Sequence, residues 1–425
     1  MSFVRDHLQH NFRVNVLDAT FFGFGMGFAS NVTVIPLFVD SLTDTTVLIG
    51  LVGSLHIIGW HLPQVLMAGR VARLPRYLPL VLRMTLHERW PYFGLMIIAL
   101  LIGLNVLSAQ VALVLAFIML GIHALGGGFT ATAWQSMIAK IIPPRRRGTF
   151  WGTQSAGASL LMAAGGYTAG LILVAVPYPY NFAACFLLTS VTMAVSMIFL
   201  AFTQEEQTPP LVENAQTGID WARYNQMLRR DPNLRVFIMA RSVAQFGWMA
   251  VGFYTVYGVR QFGMDEAAAG AMLAVMTILQ TIANPVLGWM GDVIGHRRVF
   301  AGGALLLAAS VAVALFAPSV GWLYVAFGLA GSAQATLWTV AMTMTVDFGP
   351  EQDRPYTIGV VNTLMAPAAL IAPLMGGLLA DLIGFEATFA LALVAALLTA
   401  TLLLFFVRDP RPRAEAVRPA PAIGD

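Results

Sequence analysis

Charge and cysteine are what this chain lacks. Asp, Glu, Lys and Arg together make up 11% of 425 residues, less than half of the roughly 25% usual in soluble domains, so most of the surface must face something other than water. The lone cysteine, Cys185, excludes an internal disulfide and any cysteine-built metal or redox centre. Lys140 is the only lysine, and the Gly126-Gly-Gly128 run has no Lys-Ser/Thr beside it to make a phosphate loop. Nothing here points to ATP as an energy source. His56 and His61 lie about 140° apart around a helix and form no metal-binding face. Residues 1–15 are polar and lack the apolar core of a removable leader. No cofactor or metal is expected.

What fills the chain is apolar, 58% of its residues. A hydrocarbon core of about 30 Å takes about 20 residues of helix. Runs of that kind recur twelve times, at residues 14–39, 46–69, 91–107, 109–141, 149–174, 179–203, 233–258, 266–290, 299–316, 321–347, 356–383 and 386–407. The expected class is an all-α integral membrane protein with twelve transmembrane helices. Pro36, Pro63, Pro285, Pro367 and Pro373 fall inside spans and are expected to kink them.

The position of the scarce charges gives the topology. Arg70, Arg73, Arg76, Arg83 and Arg89 follow span two, Arg145 to Arg147 span four, Arg223, Arg229 and Arg230 span six, Arg297 and Arg298 span eight, and Arg354 span ten. The opposite loops hold no Lys or Arg apart from Arg260. Basic loops stay in the cytoplasm, which places both termini there, with Arg5 and Arg13 before span one and Arg408, Arg411 and Arg413 after span twelve. The net charge of +3 therefore marks topology and not a nucleic-acid partner. Four regions follow. Residues 1–203 and 233–407 are six-span bundles, 204–232 a cytoplasmic linker and 408–425 a cytoplasmic tail. The linker carries Glu205, Glu206, Pro209, Pro210 and Glu213, then Trp221, Tyr224 and Leu228 at helical spacing beside Arg223, Arg229 and Arg230, as in a short amphipathic helix.

The two halves repeat one another. Pro63 and Gly69 are displaced from Pro285 and Gly291 by one constant offset, and Arg147 and Gly152 from Arg354 and Gly359 by another. The loop Gly288-Trp-Met-Gly-Asp292-Val-Ile-Gly295-His-Arg-Arg298 resembles the signature loop of the major facilitator superfamily of secondary transporters. The resemblance implies two pseudo-symmetric six-helix bundles that rock about a midplane site. Departures are local. Val293 follows Asp292 where the family has a basic residue, His296 stands at another basic position, and Arg70 and Arg73 replace the Asp and second Gly of the first-half copy. Ile122 occupies the place of the span-four Arg of proton-coupled drug exporters, and their span-five Gly-Pro signature is missing, which weakens that particular reading.

Two sets of site residues follow. The gating set is Gly288, Asp292, Gly295 and Arg297 with Arg70, Arg147 and Asp353. The two-fold relation puts Asp292 beside Arg147, Gly148 and Thr149 at the start of span five, and Arg70 beside Glu351 and Asp353 at the start of span eleven, latching the cytoplasmic side shut. The substrate set is Asp18, Asn31, Trp134, Gln135, Arg241, Gln245, Trp248, Gln334 and Trp338, with Trp134 and Trp338 as counterparts. Ionisable residues inside spans cost about 2.5–3.5 kcal/mol or more and usually face a partner or a wet cavity. Asp18 and Arg241 are expected to face each other across the cavity, with Asp18 able to take up a coupling proton. Aromatic walls with few polar groups fit an amphipathic ligand.

The expectation is a non-enzymatic, monomeric secondary transporter of the cell (inner) membrane, exporting an amphipathic small molecule by alternating access, coupled to H+. A non-transporting assembly or pigment-handling factor on the same fold and a metabolite importer are the alternatives.

Overall fold

A computed structural model describes residues 2–410 except 32, 44–45, 213–214, 217 and 265. Arg411 and Arg413 of the expected tail and Glu213 of the linker lie outside the described residues. Among the described residues the chain is mostly helical and contains no strand. Ten helices among the described residues are long and apolar enough to cross a membrane; spans one and three complete the twelve-helix fold as broken or charged helices.

Span one is α1 (Ser2–Phe28) followed by α2 (Val34–Asp40). Its helix starts well before the apolar run at residue 14. Span two divides into α3 (Thr46–His61) and α4 (Gln64–Ala72), because Pro63 cannot donate a backbone hydrogen bond. Span three is α5 (Leu78–Arg89) and α6 (Pro91–Gly103). This corrects the reading of residues 78–90 as a basic loop. Val81, Thr85, Glu88 and Arg89 are buried while Arg83, Leu86 and His87 are exposed, the one-sided burial of a packed helix. A hydropathy count misses it because the charges lower the mean.

Spans four, five and six are α7 (Ala109–Ile141), α8 (Arg147–Ala175) and α9 (Tyr180–Ala201). The linker contains α10 (Trp221–Arg230), capped by Asp220, whose carboxylate accepts the Arg223 N–H at 2.9 Å. Span seven opens at α11 (Pro232–Trp248), where Asp231 caps the Leu234 N–H at 3.0 Å and Pro232 occupies the first turn, in which its missing N–H costs nothing. It passes through a 3-10 stretch into α12 (Tyr254–Phe262), ended by Gly263 at φ +64°. Spans eight and nine are α13 (Glu266–Ile294) and α14 (His296–Leu315), with Gly295 at φ +102° making the turn between them. Span ten is α15 (Val320–Ala335) and α16 (Ala341–Asp347), joined by one π-helical turn at Thr336–Val340. Spans eleven and twelve are α17 (Arg354–Leu382) and α18 (Phe385–Thr401). α13 and α17 continue through Pro285, Pro367 and Pro373.

Each half carries its own core. One apolar cluster gathers Phe38, Tyr92, Phe182 and Phe186, and another Tyr254, Phe327 and Phe389. Towards the arginine-bearing loops, here the basic face, Phe150, Trp151 and Met137 pack in one half and Phe237, Phe300 and Phe348 in the other. Small residues let backbones touch. A Cβ on Gly23 would fall 2.4 Å from the Ala158 carbonyl oxygen, which draws α1 against α8. Large side chains such as Val114, Val174, Leu374 and Phe405 point outward, as lipid permits.

The halves meet on the basic face and part away from it. A Cβ on Gly148 would lie 2.3 Å from the Gly288 carbonyl oxygen, and one on Gly152 2.3 Å from that of Asn284, so α8 and α13 are in backbone contact there. Beyond that point Met272 is the only buried residue of 268–283, and none of 155–164 in α8 is buried. The result is a cleft closed at the basic face.

Candidate functional site

The cleft ends in a cavity of about 340 Å³ between the halves. From the first half, α1 contributes Asp18 and Phe22, α3 Trp60, α5 Thr85, Glu88 and Arg89, α7 Trp134, and α8 Gln154 and Ser155; from the second come Gln280, Asn284, Gln334 and Trp338. Trp338 lies in the π-helical turn, a local widening often found at functional positions. Its ring approaches that of Trp60 at 6.5 Å across the two halves. Trp134 is held edge-on against Trp151 at 4.9 Å.

The charged residues of the cavity all come from the first half. Arg89 Nη2 donates to Asp18 Oδ1 at 3.0 Å, Ser196 Oγ donates to the same oxygen at 2.6 Å, and the guanidinium lies 5.5 Å from the Phe22 ring centre. Pair formation and a hydroxyl bond are what a buried carboxylate requires. Glu88 is 7% exposed and accepts Thr85 Oγ1 at 3.1 Å through Oε2. Its backbone carbonyl accepts from His123 Nδ1 at 2.7 Å, and the other ring nitrogen bonds the Tyr92 hydroxyl at 3.2 Å. His123 is thus fixed inside the bundle.

The floor of the cavity is the closed basic face. Asp292 accepts the Gly148 N–H at 2.9 Å, the Thr149 N–H at 2.7 Å and the Thr149 hydroxyl at 2.7 Å. A carboxylate at a helix N-terminus gains from both the free N–H groups and the macrodipole. His296 sits 3.5 Å from the same carboxylate. Arg147 donates to Asp347 and to the Ala139 carbonyl, and at 3.1 Å to that of Ile142, joining spans four, five and ten. Asn362 donates to Gln64 Oε1 at 2.8 Å and Thr339 to Ser155 at 3.2 Å, both across the halves. The linker lies over this seal. Tyr224 donates to the Val65 carbonyl at 2.9 Å, and Arg223 pairs with Asp353 at 2.6 Å while stacked 4.1 Å over Tyr356.

Of the substrate residues read from the sequence, Asp18, Trp134, Gln334 and Trp338 line the cavity. Gln135 is fully buried in packing, Gln245 bonds Met365, Trp248 packs into the second-half core, and Asn31 lies in the turn after α1. The expected Asp18–Arg241 pair is not formed. Arg241 donates to Thr345 at 2.9 Å and Asn362 at 3.1 Å within the seal, and Asp18 takes the nearer Arg89 of its own half. Of the gating residues, Gly288 and Asp292 meet α8 as described. Arg147 points to Asp347 and not to Asp292. Arg70 is exposed and makes no ion pair among the described residues, because the linker carries Gln216 over Gly69 and delivers Arg223 to Asp353. Arg297 donates to the Val407 carbonyl at 2.9 Å, capping span twelve inside its own half.

Sequence reasoning missed Glu88 and Arg89, which carry the charge of the cavity, along with Trp60 and Asn284. The signal available was the spacing of Val81, Thr85 and Glu88 on one helical face. It was hidden by the assignment of that stretch to a loop.

The family model of the Major Facilitator Superfamily matches residues 85–265 and 237–424. A Na(+), Li(+), K(+)/H(+) antiporter of Planococcus maritimus is 31% identical over 169 residues, which span 38% of this chain and only 39% of that relative. The human organic anion transporter MFSD10 superposes with a TM-score of 0.73 at 14% identity, covering 93% of this chain and 99% of the other. The E. coli fucose:proton symporter FucP gives 0.69 at 16% identity, with 93% and 99% covered. With a family model covering most of its length and a fold shared over nearly all of it, the chain belongs to the Major Facilitator Superfamily.

Proposed function

We propose that the protein is a secondary transporter that exports an amphipathic small molecule by alternating access in exchange for protons. One observation carries this reading: a cavity walled by Trp60, Trp134 and Trp338 holds the buried Asp18–Arg89 pair above a seal made of contacts between the halves. A buried ion pair contributes little to net stability, so its place on a cavity wall points to handling a ligand and not to holding the fold together. The basic face is cytoplasmic by the arginine asymmetry, so the cleft opens outward, both termini are cytoplasmic, and the protein works as a monomer in the cell membrane. The alkali-cation/proton antiporter among its relatives supports coupling to H+. The lack of an ATPase motif fits a gradient-driven cycle.

The test is reconstitution in proteoliposomes with an imposed pH gradient and a pH-sensitive dye. An amphipathic substrate should collapse the gradient in wild type and not in Asp18→Asn. A gradient unmoved by any member of a broad panel of drugs, lipids and organic ions would reject the transport reading.

A further inference from the structure

Among the described residues Glu88 is the one cavity carboxyl that forms no ion pair, and its two oxygens are used unequally. Oε2 accepts from Thr85. No donor among the described residues reaches Oε1, which is also absent from the set of sealed polar atoms, so it opens onto the cavity. Arg89 is the reverse. Its Nε and Nη1 have no acceptor, but both are sealed from the cavity, with the guanidinium lodged between Asp18 and the Phe22 ring. A ligand entering the cavity therefore meets a carboxyl oxygen, while Nε and Nη1 of the guanidinium stay out of its reach.

One indole ring lies close to that oxygen. A Cβ placed on Gly127 would fall 2.9 Å from Glu88 Oε1 and 3.0 Å from the Trp60 ring, so glycine at this position lets carboxyl and ring come together. Trp60 in turn faces Trp338. Carboxylate plus aromatic faces is the chemistry that holds an organic cation. The charge count agrees, since two carboxyls share the wall with one guanidinium. One more positive charge, a proton or a ligand cation, makes the wall neutral.

We infer that Glu88 is the exchange site of the cavity and binds either a proton or the cationic group of a lipophilic organic cation, while the Asp18–Arg89 pair stays closed. This rests on the transporter reading and names its substrate class. Binding is then an exchange in which one cation enters and the Glu88 proton leaves to water, with no bond broken other than O–H. The titratable groups around Glu88 are Asp18 on α1, Arg89 on its own helix, Tyr92 on α6 and, bonded to its backbone carbonyl, His123 on α7, on which His56 of α3 stacks at 5.8 Å.

The probes are tetraphenylphosphonium and tetraphenylborate, alike in shape and opposite in charge, measured as equilibrium binding to the purified protein in weakly buffered detergent solution. Tetraphenylphosphonium should bind at least about tenfold more tightly than tetraphenylborate and release up to one proton per site. Its affinity should rise by up to about tenfold per pH unit below the titration of Glu88, the limit for one-proton exchange. Glu88→Gln should abolish proton release and flatten the pH profile. Glu88→Asp should keep both at weaker affinity. Preference for tetraphenylborate, cation binding without proton release, or an unchanged pH profile in Glu88→Gln would overturn the inference. If Glu88→Gln does not fold, charge preference and proton release in the wild type still decide. Exchange in detergent without gradient-driven uptake in proteoliposomes would leave this site standing and reject transport. Gradient-driven export whose substrates ignore Glu88→Gln would do the opposite.

Discussion

Asp292→Asn should open the basic face by a predictable amount. The carboxylate receives two backbone N–H groups and one hydroxyl from the first turn of α8. Asparagine keeps one acceptor for Gly148, but its amide nitrogen cannot accept from Thr149 N–H, and the charge that the helix N-terminus favours is gone. A hydrogen bond to a charged group is worth about 1.5–3 kcal/mol, which at about 1.4 kcal/mol per tenfold moves the closed-to-open equilibrium by roughly 10- to 100-fold. Ser155 lines the cavity just above the seal and accepts a bond from Thr339 across it. In a Cys185→Ala background, Ser155→Cys is therefore a reporter. An impermeant maleimide applied from the basic face should label it slowly in wild type and faster by about that factor with Asp292→Asn, while labelling from the other face slows. Equal basic-face labelling in the two proteins would refute the argument that Asp292 holds the seal.

Three other substitutions test separate parts of the structure. Breaking the Asp18–Arg89 pair should be asymmetric: Asp18→Asn strands a guanidinium that cannot lose its proton and should cost about 3–5 kcal/mol, seen as a lowered unfolding temperature in detergent at every pH. Arg89→Met strands a carboxyl that can take up a proton, so its loss should be smaller and should shrink as pH falls from about 8 towards the ordinary carboxylate range; equal, pH-independent losses would count against the pair. Tyr224→Phe removes the bond to the Val65 carbonyl, worth about 0.5–1.5 kcal/mol, and should speed tryptic cleavage at Arg229 and Arg230 between about twofold and about tenfold. Because burial pushes the Tyr224 phenol up, that difference should not vary across neutral pH. Gly152→Ala puts a methyl 2.3 Å from the Asn284 carbonyl and should destabilise the sealed state by about 1–3 kcal/mol, read as a gain in basic-face labelling of the same Ser155→Cys reporter.

The fold was legible because lipid imposes one demand, a long apolar helix, on segment after segment. Asp292 could be placed against α8 from the sequence because a two-fold repeat fixes which loop meets which helix end. The same relation misplaced Arg70, since it knows nothing of the linker, and Gln216 and Arg223 take the space and the partner that Arg70 was assigned. The cavity was harder to read for a related reason. Glu88 and Arg89 are placed in the membrane by packing in three dimensions, while their immediate sequence, with Arg83, His87 and Glu88 close together, has the composition of a loop. Pairing Asp18 with Arg241 failed because offset in sequence says which spans face the cavity and nothing about depth. Arg241 lies down in the seal among Thr345 and Asn362.

Where the charges are joined follows from what water can replace. Asp18 and Arg89 lie in one half and within the membrane, so parting them would leave two ions with no adequate solvent, at a cost of several kcal/mol each. They can therefore move together as one rigid wall through the proposed cycle. The bonds that join opposite halves, Asp292 to α8 and Arg147 to Asp347, and the linker pair Arg223 to Asp353 that lies over them, sit at the basic face. Opening that face wets both partners of each, and a partly exposed pair such as Arg223–Asp353 is worth only about 0–1 kcal/mol once solvated. The seal can thus be strong while dry and still be released by the few kcal/mol that the proposed ligand and proton exchange would supply. Arg241 fits this division: a guanidinium held in the seal by neutral oxygens gains hydration when the face opens, which lowers the cost of opening and explains why a cation is placed there with no carboxylate among its hydrogen-bond partners.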